Sequence, residues 1–272
     1  MNPNPSTPKA ARLPWKWGLI LVFGLLFFVW FVNTPAGILG KADAIGYAVC
    51  HRIDLRSFHI GTRPTPLCAR CTGMYLGAMT GLVYLSLAQK RRTGFPPLKV
   101  MLVLGFFFVA FGIDGLNSFL HLIPGAPGAY EPQNWLRLVT GTGMGLVITA
   151  ILFPAFNQSA WKDWDEAPVY PRLRDLGIVI LASGVIDLLV LSDNPYILFA
   201  LALISATGVL VMLTMVYTMV TLIFFHYENR FTRLVQLSFP LLGGLTLALM
   251  QVGALDLLRF WLTGTWDGFH FG

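Results

Sequence analysis

Charged side chains are scarce in this chain. Asp, Glu, Lys and Arg make up 12% of its 272 residues, against 56% hydrophobic. A soluble domain carries about 25% charged residues. Half that number leaves too little polar surface to cover a globule in water, which excludes the soluble classes. Lipid removes the requirement. Acidic residues are scarcer than basic ones, 13 against 19. That surplus does not point to nucleic acid, because the basic residues sit in short segments between apolar runs and no RNA- or DNA-binding pattern is present. Cysteine is scarcer still. The three cysteines all fall between positions 50 and 71, and an odd number so tightly grouped excludes a disulfide framework. The first apolar run follows Lys9, Arg12 and Lys16 and lacks an A-x-A cleavage site, so it reads as a span and not a signal peptide. There is no clear internal repeat. No paired broken helices at mid-membrane mark a transporter's substrate site.

What is present is a series of apolar runs near the length of about 20 residues that a crossing needs. They fall at about 17–32, 72–88, 100–122, 135–156, 173–191, 196–225 and 234–257. The sixth is longer than a crossing needs and is expected to tilt or protrude. Residues 1–13 read as a flexible tail, and 14–272 as a single transmembrane domain. The expected fold is all-α: a polytopic bundle of about seven spans with one polar Cys/His/Arg loop, residues 34–71, at its outer face. Within that loop, 36–49 is expected to form a short helix lying at the surface. A turn-rich loop with Pro124, Gly125, Pro127 and Gly128 follows the third span. Trp15, Trp17, Trp30, Trp261, Trp266 and Phe269 suit the membrane interfaces.

Glycine recurs every fourth residue at Gly73, Gly77 and Gly81, a stripe that lets another helix approach closely. Gly141, Gly143 and Gly145 imitate a nucleotide loop, but they lie inside a span with no preceding strand or acidic partner, so helix packing is the better reading. Such glycine-rich faces, besides membrane lipids, are where other membrane subunits would dock.

The positive-inside rule places the N-terminus in the cytoplasm and the C-terminus outside a plasma membrane. Lys90, Arg91, Arg92, Lys99, Lys162, Arg172, Arg174, Arg230 and Arg233 then face inward with the tail. Lys41, Arg52, Arg56, Arg63, Arg70, Arg137 and Arg259 face outward. Four of these outer arginines lie in or beside the cysteine segment. Positive charge placed against the rule suggests a local task.

That segment reads Cys50-His51-Arg52, then Arg56, His59 and Arg63, then Leu67-Cys68-Ala69-Arg70-Cys71-Thr72-Gly73. One reading is a metal site. Cys50, His51, Cys68 and Cys71 supply three thiolates and one imidazole, a known four-coordinate set for zinc. Cys68 and Cys71 have standard ligand spacing, and His59 could replace His51. The other reading is thiol redox chemistry. Cys68 and Cys71 stand at a helix N-terminus beside Arg70, which favours thiolates, and Cys50 could exchange with the pair. Structural packing is the bland alternative.

Ionisable groups within spans are costly and are functional candidates. Asp114, Asn117 and His121 share one face of the third span by their spacing. Asp187 and Asp256 lie near the ends of the fifth and seventh, where they could instead reach headgroup water. All five are expected in the outer half, lining one polar pocket beneath the loop. His226, beside Glu228 and Arg230, is expected to be solvated, and His270 in the tail says little.

The Cys-His pair followed by Cys-Ala-Arg-Cys-Thr-Gly resembles a family of uncharacterised prokaryotic multi-pass membrane proteins, over about residues 43–125. The resemblance implies a membrane location and a shared cysteine site. Three expectations follow. In the first, Cys50, His51, Cys68 and Cys71 hold zinc or another transition metal, Asp114 and His121 carry protons or add ligands, and Arg52, Arg63 and Arg70 attract an anionic group. In the second, the protein is a thiol oxidoreductase with Cys68 or Cys71 as nucleophile. In the third, it is a non-catalytic subunit of a larger membrane complex.

Overall fold

The computed structural model describes residues 15–123, 125 and 128–268. The N-terminal tail with Lys9 and Arg12, Pro124 and Pro127 of the turn-rich loop, and Phe269 and His270 lie outside the described residues. Among the described residues, eight α-helices run in order: α1 (Trp15–Asn33), α2 (Gly37–Val49), α3 (Ala69–Ala88), α4 (Leu98–Leu120), α5 (Asn134–Ala160), α6 (Leu173–Val190), α7 (Pro195–Phe224) and α8 (Ser238–Thr263). The chain is thus an all-α membrane bundle. Backbone groups facing hydrocarbon have no partner but each other, which makes helices the default for such runs. Among the described residues, six helices are long and apolar enough to cross a membrane: α1, α3, α4, α5, α7 and the run containing α8. In α6, Arg174, Asp175 and Asp187 fall within 18 residues and lower its apolar character.

The connectors show how α6 is used. Residues 89–97, 161–172 and 225–237 meet at one end of the bundle. There β3 (Arg92–Gly94) lies parallel to β4 (Asp165–Pro168), and Lys162 N–H donates to the Phe231 carbonyl at 2.9 Å. Residues 50–68, 128–134 and 264–268 meet at the other end, here termed the motif end. Arg56 donates to the Ser118 carbonyl at 2.8 Å, and Arg52 to that of Trp266 at 3.1 Å. The short hairpin β1 (His59–Ile60) with β2 (Arg63–Pro64) packs there against α7. Since α6 starts beside the first group of connectors and leads to α7 at the second, it makes a seventh traverse of the bundle.

The most extensive helix pairing is α3 with α5, and glycine makes it possible. A Cβ at Gly73 would strike the Leu138 carbonyl, and one at Gly77 the Thr142 carbonyl. From the facing side, a Cβ at Gly141 would strike the Arg70 carbonyl, and one at Gly145 that of Met74. The two glycine runs are halves of one interface within the chain. This corrects their expected use as docking faces for other subunits, because backbone already fills the space. Gly77→Val is expected to cost about 1–3 kcal/mol by overpacking. Gly112→Ala on α4, with nothing within 4 Å of its Cβ, serves as the neutral control. Unfolding in mixed SDS micelles separates the two.

Large apolar side chains such as Phe106, Leu181, Leu188 and Leu257 point outward, where lipid solvates them. A second correction concerns α2. It does not lie at the surface but is buried along most of its length, from Gly40 to Tyr47, against α7 and α8. The Tyr47 hydroxyl donates to the Thr265 carbonyl at 2.7 Å, and its ring packs on Trp266. The C-terminal segment therefore closes over α2.

Candidate functional site

Gly46 begins the construction of the site. A side chain there would collide with the Pro66 carbonyl, so the strand entering α3 lies directly on the end of α2. That contact brings residue 68 to residue 50. Cys50 ends α2, and its N–H bonds to the Gly46 carbonyl at 2.8 Å. Cys68 is the residue before α3, and Cys71 lies in its first turn. Three residues apart at a helix start, the latter two share a face. The result is three sulfurs all within 4.8 Å of one another, and all three thiols are free. The Cys68 backbone N–H donates to the Cys50 sulfur at 3.3 Å.

The surroundings are apolar. Trp30, Ala44, Ile45, Leu67, Val209 and Val252 pack around Cys50 and Cys68, which are 6% and 2% exposed. Hydrogen bonds from the Cys68 and Cys71 thiols, aided by His51, hold the Cys50 thiol well below its ordinary 9.0 despite burial. Giving that bond to Cys50 pushes Cys68 up to about 12. The three thiols thus share hydrogen bonds centred on Cys50. His51 stands beside Cys50 alone, with Nδ1 3.5 Å from its sulfur, outside the three-sulfur group. His59 faces Asp54 at 3.1 Å.

Arg259 of α8 went unremarked in the sequence as a site residue. Its guanidinium donates to the carbonyls of Tyr47, Cys50 and His51 at 2.7, 2.6 and 3.2 Å and lies over the Tyr47 ring. It clamps the backbone that carries Cys50. Nothing in the sequence ties residue 259 to residue 50, because the link is purely tertiary.

The arginines read as anion-attracting are already engaged. Arg52 and Arg63 both pair with the buried Asp43 carboxylate, Arg52 at 3.0 Å. Arg70 pairs with Asp114 and donates to the Ser118 hydroxyl at 2.8 Å. Arg70 precedes Cys71 yet leaves the thiol face and reaches toward α4. These contacts are the local task of positive charge at this end.

The expectation of one shared acidic pocket is corrected. Asp114, 1% exposed, also accepts from the Tyr130 hydroxyl at 3.0 Å and from Thr140 at 3.4 Å. Asp187 of α6 accepts from Thr142 of α5 at 2.7 Å. Asp256 of α8 accepts from the Trp30 indole of α1 at 3.1 Å. These carboxylates are buried between different helix pairs, so they belong to separate sites. His121 ends α4, with Nδ1 2.9 Å from the Asn117 carbonyl and Nε2 3.9 Å from exposed Glu131. Asn117 staples the following loop, donating to the Tyr130 carbonyl and accepting from Ala129 N–H, both at 2.8 Å. Asn117→Ala strands these groups at a cost of about 1–3 kcal/mol. Hydrogen exchange at Ala129 and Tyr130 should then rise roughly tenfold or more.

The family model described as "Predicted membrane protein (DUF2085)" matches residues 50–151. The match starts at the first cysteine and ends within α5. The chain is 35% identical over 107 residues to an "Uncharacterized protein" of Methanothermobacter thermautotrophicus, covering 38% of this chain and 86% of that one. It is 27% identical over 119 residues to "Uncharacterized protein MJ1492" of Methanocaldococcus jannaschii, covering 44% of this chain and 70% of that one. No solved structure matches. The shared region holds all three cysteines together with Arg70 and Asp114, and on this evidence the chain belongs to the DUF2085 family of predicted membrane proteins.

Proposed function

We propose that the protein is a multi-pass plasma-membrane protein that binds one soft metal ion through Cys50, Cys68 and Cys71. The observation that carries this reading is the convergence of three free, largely buried sulfurs from two distant chain segments. Metal–sulfur bonds of about 2.3 Å put sulfurs about 3.8–4.0 Å apart, a spacing that the cluster accommodates. Three thiolates select zinc or another thiophilic ion over hard cations. The Cys68 N–H aimed at the Cys50 sulfur is the outer contact that steadies a metal thiolate. His51 is the neighbouring candidate for a fourth position. Asp114 acts by holding Arg70 at the head of the motif helix, and not as a ligand. The motif end faces outward, because the opposite connectors hold Lys90, Arg91, Arg92, Lys162, Arg172, Arg230 and Arg233, against Arg52, Arg56 and Arg63 in residues 50–68.

The thiol oxidoreductase reading has one observation in its favour: a thiolate-prone Cys50 lies within exchange reach of two thiols. A single preparation distinguishes the two. Protein purified anaerobically without added chelator is analysed for metal, and its thiols are counted before and after mild oxidation. About one zinc-like ion per chain, with sulfurs protected from oxidation, supports the metal site. Metal-free protein that forms a Cys50–Cys68 or Cys50–Cys71 disulfide supports exchange chemistry. Protein that does neither leaves the cysteines as packing in a complex subunit.

A further inference from the structure

A second cluster lies beside the thiols, and its charges do not balance. Three guanidiniums converge on Ser118 near the end of α4. Arg56, from the turn at Asp54–Arg56, donates to its carbonyl at 2.8 Å. Arg70 of α3 and Arg137 of α5 approach its hydroxyl at 2.8 and 3.4 Å. One carboxylate, Asp114, lies in the cluster, and Arg70 takes it. Among the described residues, no carboxylate is within ion-pair distance of Arg56 or Arg137. Arg137 is 5% exposed, and its remaining close partner is the neutral Asn134 side chain at 2.8 Å. Burial and the neighbouring Arg70 push the Arg56 guanidinium below its ordinary value. Buried like charges without a counter-ion are strongly unfavourable. By contrast, Arg52 and Arg63 share Asp43 with Arg63 largely in solvent, and Arg259 is satisfied by carbonyls.

We propose that Arg56 and Arg137, the two guanidiniums left without a carboxylate, bind a phosphate-type oxyanion at the motif end of the bundle, beside the Arg70–Asp114 pair. The planar guanidinium fork matches the paired oxygens of a phosphate group, and two forks from two elements can clasp a tetrahedral anion. Arg137 lies at the start of α5, where the helix dipole also favours negative charge. Helix ends of a bundle stand at headgroup level. Asn134, which accepts from Arg137, also lines a neighbouring open cleft of about 580 Å³ with Ser57, Phe58, His59 and Asp193. The same chemistry therefore serves a phospholipid headgroup or a free phosphate. The site does not depend on the metal reading.

The test uses the full chain in detergent. Native mass spectrometry measures retention of phosphatidylglycerol against a phosphatidylcholine control, and calorimetry measures inorganic phosphate at fixed salt. Arg56→Gln and Arg137→Gln are expected to weaken binding tenfold or more, while Arg172→Gln at the opposite end leaves it unchanged. Loss confined to the lipid assigns a headgroup, and loss confined to phosphate assigns a soluble anion. Either supports the site. If Arg137→Gln fails to fold, the half-buried Arg56→Gln decides alone. Variants that bind both probes as wild type does, or a wild type that binds neither, overturn the proposal. So do variants that lose bound metal but keep phosphate and lipid, since the two surplus charges would then balance the thiolates.

Discussion

Cys50→Ser is expected to abolish metal loading, with an affinity loss greater than the ~10–100-fold that outer-shell changes cause. The reason lies in the site's economy: two segments supply three sulfurs, and Cys50 alone represents the α2 segment. Serine offers a hard oxygen that stays protonated, which a soft ion disfavours. Competition with a chromophoric chelator reads the loss directly. Arg259→Gln provides the graded comparison. It keeps every thiol but releases the carbonyls of Tyr47, Cys50 and His51, so its loss should fall near the ~10–100-fold of a supporting residue. If Cys50→Ser loads metal as the parent does, the three-thiolate site is wrong, whatever Cys68 and Cys71 do.

The second large effect is on stability. Asp114→Ala should cost about 3–5 kcal/mol, the usual result of removing one partner from a buried ion pair. Arg70 would lose its carboxylate in a cluster that already holds Arg56 and Arg137, and the Tyr130 hydroxyl would lose its acceptor. Joint replacement of both partners by apolar residues should recover much of that cost. Reversible unfolding in mixed micelles gives the values. An Asp114→Ala protein within about 0.5 kcal/mol of wild type, the range of an inconsequential surface change, would show that the pair carries no load. Metal content in the same samples tells whether Arg70 also positions the cysteines.

Much of this architecture was legible beforehand, and the reasons are specific. The apolar runs of α1, α3, α4, α5, α7 and α8 have the length of a membrane crossing. Gly73 and Gly77 announced a close helix contact by their spacing, although not that Gly141 and Gly145 were its other half. The convergence of Cys50 with Cys68 and Cys71 was readable from their confinement to one segment. The burial of α2 was not, because its Lys41 and Asp43 look solvent-facing until Asp43 is seen between Arg52 and Arg63. Lys41 bonds to the end of α1 at the Thr34 carbonyl, 3.0 Å away. The spacing of Asp114, Asn117 and His121 located one helix face correctly. Their roles then diverged, since each met a different neighbour.

Composition and run length determined by themselves that this is a helical membrane protein, because hydrocarbon leaves the backbone no alternative and demands an apolar exterior. The motif by itself marked the segment in which the three thiols converge. Only the tertiary structure decided which charges are spent and which are left over. Arg52, Arg63 and Arg70 carry the same charge as Arg56 and Arg137, and what separates the two groups is the carboxylate that folding brings within reach. Proximity of that kind is set by helices far apart in sequence, and electrostatic energy depends on distance and burial rather than on order along the chain.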